Sequence, residues 1–448
     1  MPLQRLSRRQ FLKGVAAAGG AVALSAAGAS RVFGANARLR LASVGVGGKG
    51  WSDLMSVAAS PHVDVVALCD TDEAPQFLGR AAEKYPRARR FTDWRRLLDE
   101  ARDFDAVTVS TPDHMHAPVG LAAMQLGKHL FCQKPLTHSV FEARQMRLAA
   151  RKYRVVTQMG NQVQSHEAYL TAVKLVHDGV IGKVKEVHSW QAGKMGWLLA
   201  DDRPPGADPI PEGLHWDGWL GVARERPYKA RLYHSFNWRA WQDFSNGQLG
   251  DFGCHILDPV FLALGLTAPT AVRAEAPPIN REVWTRWATV RYEFPGTERT
   301  AAKTLRLTWY DGEGRLPPRE AHGLPQGWQM PGAGSVLLGE SGTLVIPHVA
   351  LPKLFPEEKF AGMKLEVVPA RDHYTSWADA CRGEGKTTSS FDYAGPLTET
   401  VLLGSVAVRT PGEALRWDAA GLRITGSAAA DALLRKTYRK GWEPSWVS

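Results

Sequence analysis

Four short stretches hold residues whose types and spacing could do chemistry. Gly45-Val-Gly47-Gly48-Lys-Gly50 spaces its glycines as GxGxxG, and Asp70 follows about 20 residues past the last of them. Glycines there let backbone N–H groups approach a pyrophosphate at a helix N-terminus, and the acid accepts hydrogen bonds from an adenosine ribose. Thr71 and Asp72 follow Asp70 in place of a basic residue, so a 2′-phosphate is repelled and NAD is expected over NADP. Thr111-Pro112-Asp-His-Met-His116 and Phe131-Cys-Gln133-Lys134-Pro135 each end an apolar run, where a lysine can face a nicotinamide ring. In Gly247-Gln-Leu-Gly-Asp251-Phe-Gly-Cys-His255 the acid and the histidine are four apart, which puts both on one face of a helix.

These residues need a scaffold that brings strand ends together. The runs LASVG (41–45), VDVVALCD (63–70), FDAVTVS (104–110), KHLFC (128–132) and VVTQM (155–159) alternate with helical periodicity. Ser139 and Glu142 have capping-box spacing ahead of one such helix. This rhythm predicts an α/β fold with a doubly wound, mostly parallel sheet over 38–160. A second domain over 161–448 is predicted as α+β with a large, mostly antiparallel sheet. Its strand-like runs include KVKEVHSW, TRWATVRYEF, KTLRLTWY, SVLLGE and GTLVIP. Two Pro-rich insertions, 203–211 and 315–331, read as surface loops, and the chain after Asp372 turns helical again.

Asn161 and Gln162 end the run VVTQM and are candidates for binding substrate hydroxyls. Trp238, Arg239 and Trp241 precede the Asp251 helix; a wall for a sugar ring and plain core packing both fit them, whereas Trp216 and Trp219 read as core. Asp113, His114 and His116 resemble part of a metal cluster, but no further ligand stands at zinc spacing, so no metal is expected.

The chain of 448 residues carries a formal net charge of +10. Arg5, Arg8, Arg9, Lys13 and Arg31 supply half of that excess before residue 38, with no acid among them. The remainder is only mildly basic and has no basic run interleaved with aromatics, which argues against nucleic acid as a partner. Paired arginines in Ser7-Arg-Arg-Gln-Phe-Leu-Lys13, ahead of an Ala/Gly-rich run too short and soft to span a bilayer, read as a twin-arginine export signal over 1–37. Ala35-Asn36-Ala37 fits a peptidase site, with Ala27-Gly28-Ala29 as a second possibility, and a periplasmic or other extracytoplasmic destination follows. Cys69 and Cys132 end apolar runs and read as buried free thiols.

In order, GVGGKG, TPDHMH, QKP, GQLGDFGCH, GESGTLVI and FDYAGPLTETVLL resemble the Gfo/Idh/MocA oxidoreductases over nearly the whole chain after the leader. The resemblance implies a Rossmann domain joined to an open-faced sheet used for homodimer or homotetramer formation. It also implies a sugar or cyclitol substrate and hydride transfer with NAD. Lys134 matches the lysine of the family's Glu-Lys-Pro motif, Asp251 and His255 match its catalytic pair, and His116 matches a histidine near the nicotinamide. Gln133 departs from the family glutamate and removes a charge beside Lys134. Some relatives are glycoside hydrolases that work through a transient 3-keto sugar and elimination, and a non-catalytic sugar-binding protein on the same scaffold is a third reading. An exported enzyme is cut off from fresh nucleotide, so tightly held NAD and a redox-neutral cycle are expected.

Overall fold

Apolar runs flanked by polar turns become strands buried on both faces when helices cover each side of a sheet. In the computed structural model, which describes residues 38–194, 196, 202–319, 324–444 and 446, six strands form an all-parallel sheet. They are β1 (Leu39–Val44), β2 (Val63–Cys69), β3 (Arg89–Phe91), β4 (Ala106–Val109), β5 (His129–Cys132) and β6 (Thr157–Met159), ordered β3-β2-β1-β4-β5-β6. The order reverses between β1 and β4, which opens a crevice at the carboxyl ends of the strands. Three-residue β3 carries no alternation that could announce it. The export signal and Trp197 lie outside the described residues.

Helix α1 (Gly48–Val57) follows β1, α2 (His116–Gln125) joins β4 to β5, and α3 (Val140–Tyr153) joins β5 to β6. At the start of α3 the Ser139 hydroxyl accepts from the Glu142 N–H while the Glu142 carboxylate accepts from the Ser139 N–H, the capping box read from spacing.

The second sheet has nine strands: β7 (Val184–Gln191), β8 (Ala271–Glu275), β9 (Ala288–Pro295), β10 (Thr304–Asp311), β11 (Ala333–Gly339), β12 (Thr343–Pro347), β13 (Lys353–Phe355), β14 (Ala414–Asp418) and β15 (Arg423–Thr425). Their order is β13-β12-β11-β7-β10-β9-β8-β14-β15, antiparallel except for the β7/β10 pair. Helices α4 (Glu167–His177), α5 (Gly247–Ile256), α6 (Asp258–Leu264), α7 (Thr375–Cys381) and α8 (Phe391–Arg409) complete the frame. In β9 the side chains of Val290, Tyr292 and Phe294 are buried beneath the helices, while Arg291 and Glu293 on the opposite face stay exposed.

Helix α7 returns to the first sheet rather than the second. Trp377, fully buried, sets its ring edge-on to Phe131 at 5.6 Å and packs with Leu39, Leu41 and Val63. Truncating such a ring costs about 3–5 kcal/mol, so this late segment is part of what holds the first sheet together. All four cysteines are buried and free.

Candidate active site

The crevice at the β1/β4 reversal widens into a chamber of ≈ 750 Å³, whose walls include Gly45, Gly47, Gly48, Asp70, Thr111, Pro112, Gln133 and Lys134. Its first wall is made of backbone. Gly45 has φ +77, and a Cβ there would stand 2.7 Å from the Ser110 carbonyl oxygen. Gly50 does not line the chamber; a Cβ on it would meet the Gly45 carbonyl at 1.9 Å, so its role is to let α1 pack under the loop. No side chain caps α1 and no acid stands in its first turn, which leaves its N-terminal amides and dipole to an anion. These residues fit the pyrophosphate of a dinucleotide.

Asp70 holds the loop as well as facing the chamber. Its Oδ2 accepts from the N–H groups of Val46 (2.9 Å) and Gly47 (3.2 Å), and its Oδ1 from Asp72 N–H (3.1 Å). Burial raises its pKa, against the pull of these bonds. A carboxylate has about four acceptor positions, so one remains for a ribose hydroxyl.

At the other end the wall is made of side chains. Lys134 Nζ donates to Asp251 Oδ1 at 2.8 Å and to the Asp251 carbonyl at 2.6 Å, and Arg239 Nε reaches the same Oδ1 at 3.4 Å. Burial pushes the Asp251 carboxyl up, but the charges of Lys134 and Arg239 outweigh it and hold the pKa at about 2. His255, one turn along α5, is buried; that burial and then the Lys134 charge drive its pKa well below the ordinary value. The neutral imidazole has a nitrogen lone pair open to a proton, and burial and the Lys134 charge weaken it as a base. Behind them Asp113, buried and facing Asp251, rises to about 7.

Gln133 explains its own departure from glutamate. Its amide nitrogen donates to Asp53 Oδ2 at 2.8 Å, and the fully buried Asp53 also takes Ser110 Oγ at 2.8 Å and Lys49 Nζ at 2.6 Å. Tyr374 Oη, carried in from the α7 segment, donates to Asp53 Oδ1 at 3.2 Å. A glutamate at 133 would set a second carboxylate against that of Asp53. Lys49, Asp53 and Tyr374 were not foreseen from sequence; the i,i+4 spacing of Lys49 and Asp53 was the one available signal.

Other expected site residues divide. Trp238 and Arg239 line the large chamber. Trp241 does not: it is fully buried, its Nε1 donates to the Leu232 carbonyl, and it belongs to the aromatic core with Trp216 and Trp219. Gln162 lines a second chamber of ≈ 620 Å³ that shares Lys134, Asp251, Phe252 and His255 with the first. Asn161 reaches neither chamber, because its amide donates to buried Asp258 at 3.1 Å. His116 lies beneath the chamber, its ring nitrogens 2.8 Å from the carbonyls of Pro135 and Thr111; burial lowers its pKa to about 4, so the neutral ring has one N–H and donates to one of the two. His114 is buried beside Trp219 and Phe244, and among the described residues no group of three metal-ligating side chains gathers.

A doubly wound sheet with an uncapped glycine loop, set against a large open sheet, defines a class: two-domain NAD-binding oxidoreductases. Residues 39–161 match the model of the oxidoreductase family Gfo/Idh/MocA, NAD-binding Rossmann fold, and 169–300 match that of the family's C-terminal alpha/beta domain. The chain belongs to the Gfo/Idh/MocA family. Residues 5–25 match the twin-arginine translocation signal sequence, and among the described residues no helix is long and apolar enough to cross a membrane. A levoglucosan dehydrogenase of Pseudarthrobacter phenanthrenivorans is 30% identical over 110 residues, 25% of this chain and 28% of that protein. An alpha-N-acetylgalactosaminidase of Shewanella oneidensis is 28% identical over 172 residues, 36% of this chain and 37% of that one. The matches therefore span 28% and 37% of these relatives' lengths. The WlbA dehydrogenase of Bordetella pertussis, solved with NADH and UDP-GlcNAcA, shares the fold with a TM-score of 0.60 at 15% identity, over 85% of this chain and 99% of that one.

Proposed function

We propose that this protein oxidises a hydroxyl-bearing carbon of a sugar or cyclitol with NAD that stays bound, the hydride then passing to the carbonyl of a second sugar so that each cycle regenerates NAD. The observation that carries this reading is that the glycine loop and the Lys134–Asp251–His255 group line one chamber. Gly45, Gly47, Gly48, Asp70, Thr111, Pro112 and Gln133 would hold the nucleotide, and NAD bound there would supply the hydride acceptor. The Asp70 and Asp72 carboxylates beside the ribose end favour NAD over NADP. His255 takes the hydroxyl proton. Lys134 donates a hydrogen bond to that oxygen as it gains carbonyl character, and Asp251 holds Lys134 in place. Trp238, Arg239 and Gln162 are the substrate contacts. Export through the twin-arginine route, which carries folded proteins, supports a periplasmic enzyme loaded with NAD beforehand. A homodimer or homotetramer would form through the face of the second sheet opposite its helices.

The test is to purify the protein after export and identify any released nucleotide by mass spectrometry. A panel of sugars is then added without free cofactor while the near-ultraviolet absorbance of reduced nicotinamide is followed. Stoichiometric NAD and a bound absorbance change are expected; protein that carries no NAD and binds none sinks the reading. The similarity to an alpha-N-acetylgalactosaminidase favours a second, redox-neutral reading in which oxidation is transient and a glycoside is cleaved. Its signature is turnover of a glycoside with no added cofactor and no net absorbance change.

A further inference from the structure

The second domain sends residues 213–236 across the turn that follows β2, at the end of the large chamber away from Lys134. The backbones pair there: His215 N–H donates to the Thr71 carbonyl at 2.8 Å, and Glu73 N–H donates to the Gly213 carbonyl at 3.0 Å. Side chains repeat the connection. The His234 ring nitrogen Nε2 lies 2.7 Å from Asp72 Oδ2, and His215 Nε2 lies 2.8 Å from Glu73 Oε1. Phe77 completes the closure. Its ring centroid is 4.9 Å from that of His234, and its Cδ1 stands 1.9 Å from where a Gly47 Cβ would be. Phe77 and His234 both line the chamber with the glycine loop.

The crossing segment is itself rigidly held. Trp216 stacks on Trp219 at 4.8 Å, Tyr233 packs edge-on to Trp241 at 5.0 Å, and Arg439 binds the Gly221 carbonyl at 2.9 Å and Asp217 Oδ1 at 2.7 Å. A nucleotide held on the glycine loop would share its chamber with Phe77 and His234. Neither Phe77 nor His234 belongs to the motifs that announced the site.

We propose that residues 213–236 form a clasp that retains the dinucleotide between catalytic cycles, with His234–Asp72 and Phe77 as its closing contacts. The inference rests on the reading that the large chamber holds NAD. It gives that reading a physical means of retention, because release requires the His234–Asp72 and Phe77–His234 contacts to part.

The test measures the release of NAD from full-length protein purified with its nucleotide, after dilution into nucleotide-free buffer with an adsorbent, by mass spectrometry of what stays bound. Phe77→Ala and His234→Ala are each expected to release NAD about tenfold faster than the unchanged protein. His234→Gln, which keeps an N–H for Asp72, is expected to stay within about threefold of it. Circular dichroism with saturating NAD checks folding; if His234→Ala misfolds, Phe77→Ala, whose ring is only half-buried, carries the test. Release at the unchanged rate from a folded alanine variant overturns the clasp and leaves the functional reading standing. Unchanged protein that never holds NAD overturns both.

Discussion

At one end of the large chamber the wall is backbone, supplied by a loop and a strand end close together in sequence: Gly45, Gly47, Gly48 and Asp70. At the other it is side chains drawn together from afar, with Lys134 and Asp251 117 residues apart and joined at 2.8 Å. The first end works by what is missing, since Cβ atoms on Gly45 and Gly50 would strike carbonyl oxygens. The second works by charge: Lys134 and Arg239 both bear on the Asp251 carboxylate. The two should therefore fail differently, the glycine end through shape and the Lys134–Asp251 end through protonation and charge.

The largest effect expected is on chemistry without binding. His255→Ala should lower the rate of the single-turnover absorbance change about 10²–10⁴-fold while the NAD content of the purified protein stays the same. Loss of NAD from this variant would show the two ends to be one unit. Gly50→Ala is the complementary break. Its Cβ must displace the Gly45 carbonyl, which should destabilise the fold by about 2 kcal/mol in urea unfolding and reduce the bound NAD.

A charge exchange sharpens the contrast further. Gln133→Glu sets a carboxylate where the amide now donates to Asp53, and it should cost about 1–3 kcal/mol at pH 8. Repulsion raises the folded pKa of such a pair above its unfolded value, so the folded protein binds protons more tightly. The deficit should grow as pH rises and shrink towards pH 5, and adding Asp53→Asn should remove most of it. A deficit that does not vary with pH would mean that shape, and not charge, governs position 133. The smallest effect is at a residue that missed the chamber. Asn161→Ala removes one donor to Asp258, while Gln164 and Tyr393 remain on the same oxygen. It should cost about 1 kcal/mol of stability and leave the KM for any sugar substrate unchanged.

Much of the first sheet was legible because strands buried between helices are rich in apolar residues, and the five runs read from the sequence fall on five of its six strands. The second sheet was legible where strands are long, as in β7, β9 and β10. It was opaque at β8, β14 and β15, whose three to five residues leave little alternation to read. Asn161 and Trp241 show the limit at the site. A polar residue at a strand end and a tryptophan beside the catalytic helix point to the cleft by position alone, but neighbours far off in sequence, Asp258 and the aromatic core around Tyr233, claimed them first.

The sequence by itself determined the glycine loop, its acid, the alternation that makes a doubly wound sheet, and the i,i+4 pair on α5. Each of these depends on backbone geometry repeating over a few residues, so spacing alone carries the information. Tertiary structure decided which charges meet: that Lys134 finds Asp251, that Gln133 answers Asp53, that a late helix brings Tyr374 to the same cluster, and that residues 213–236 close over the β2 turn. Those contacts depend on how two sheets and their crossing segments pack, and burial then fixes the partner of every polar group it takes from water.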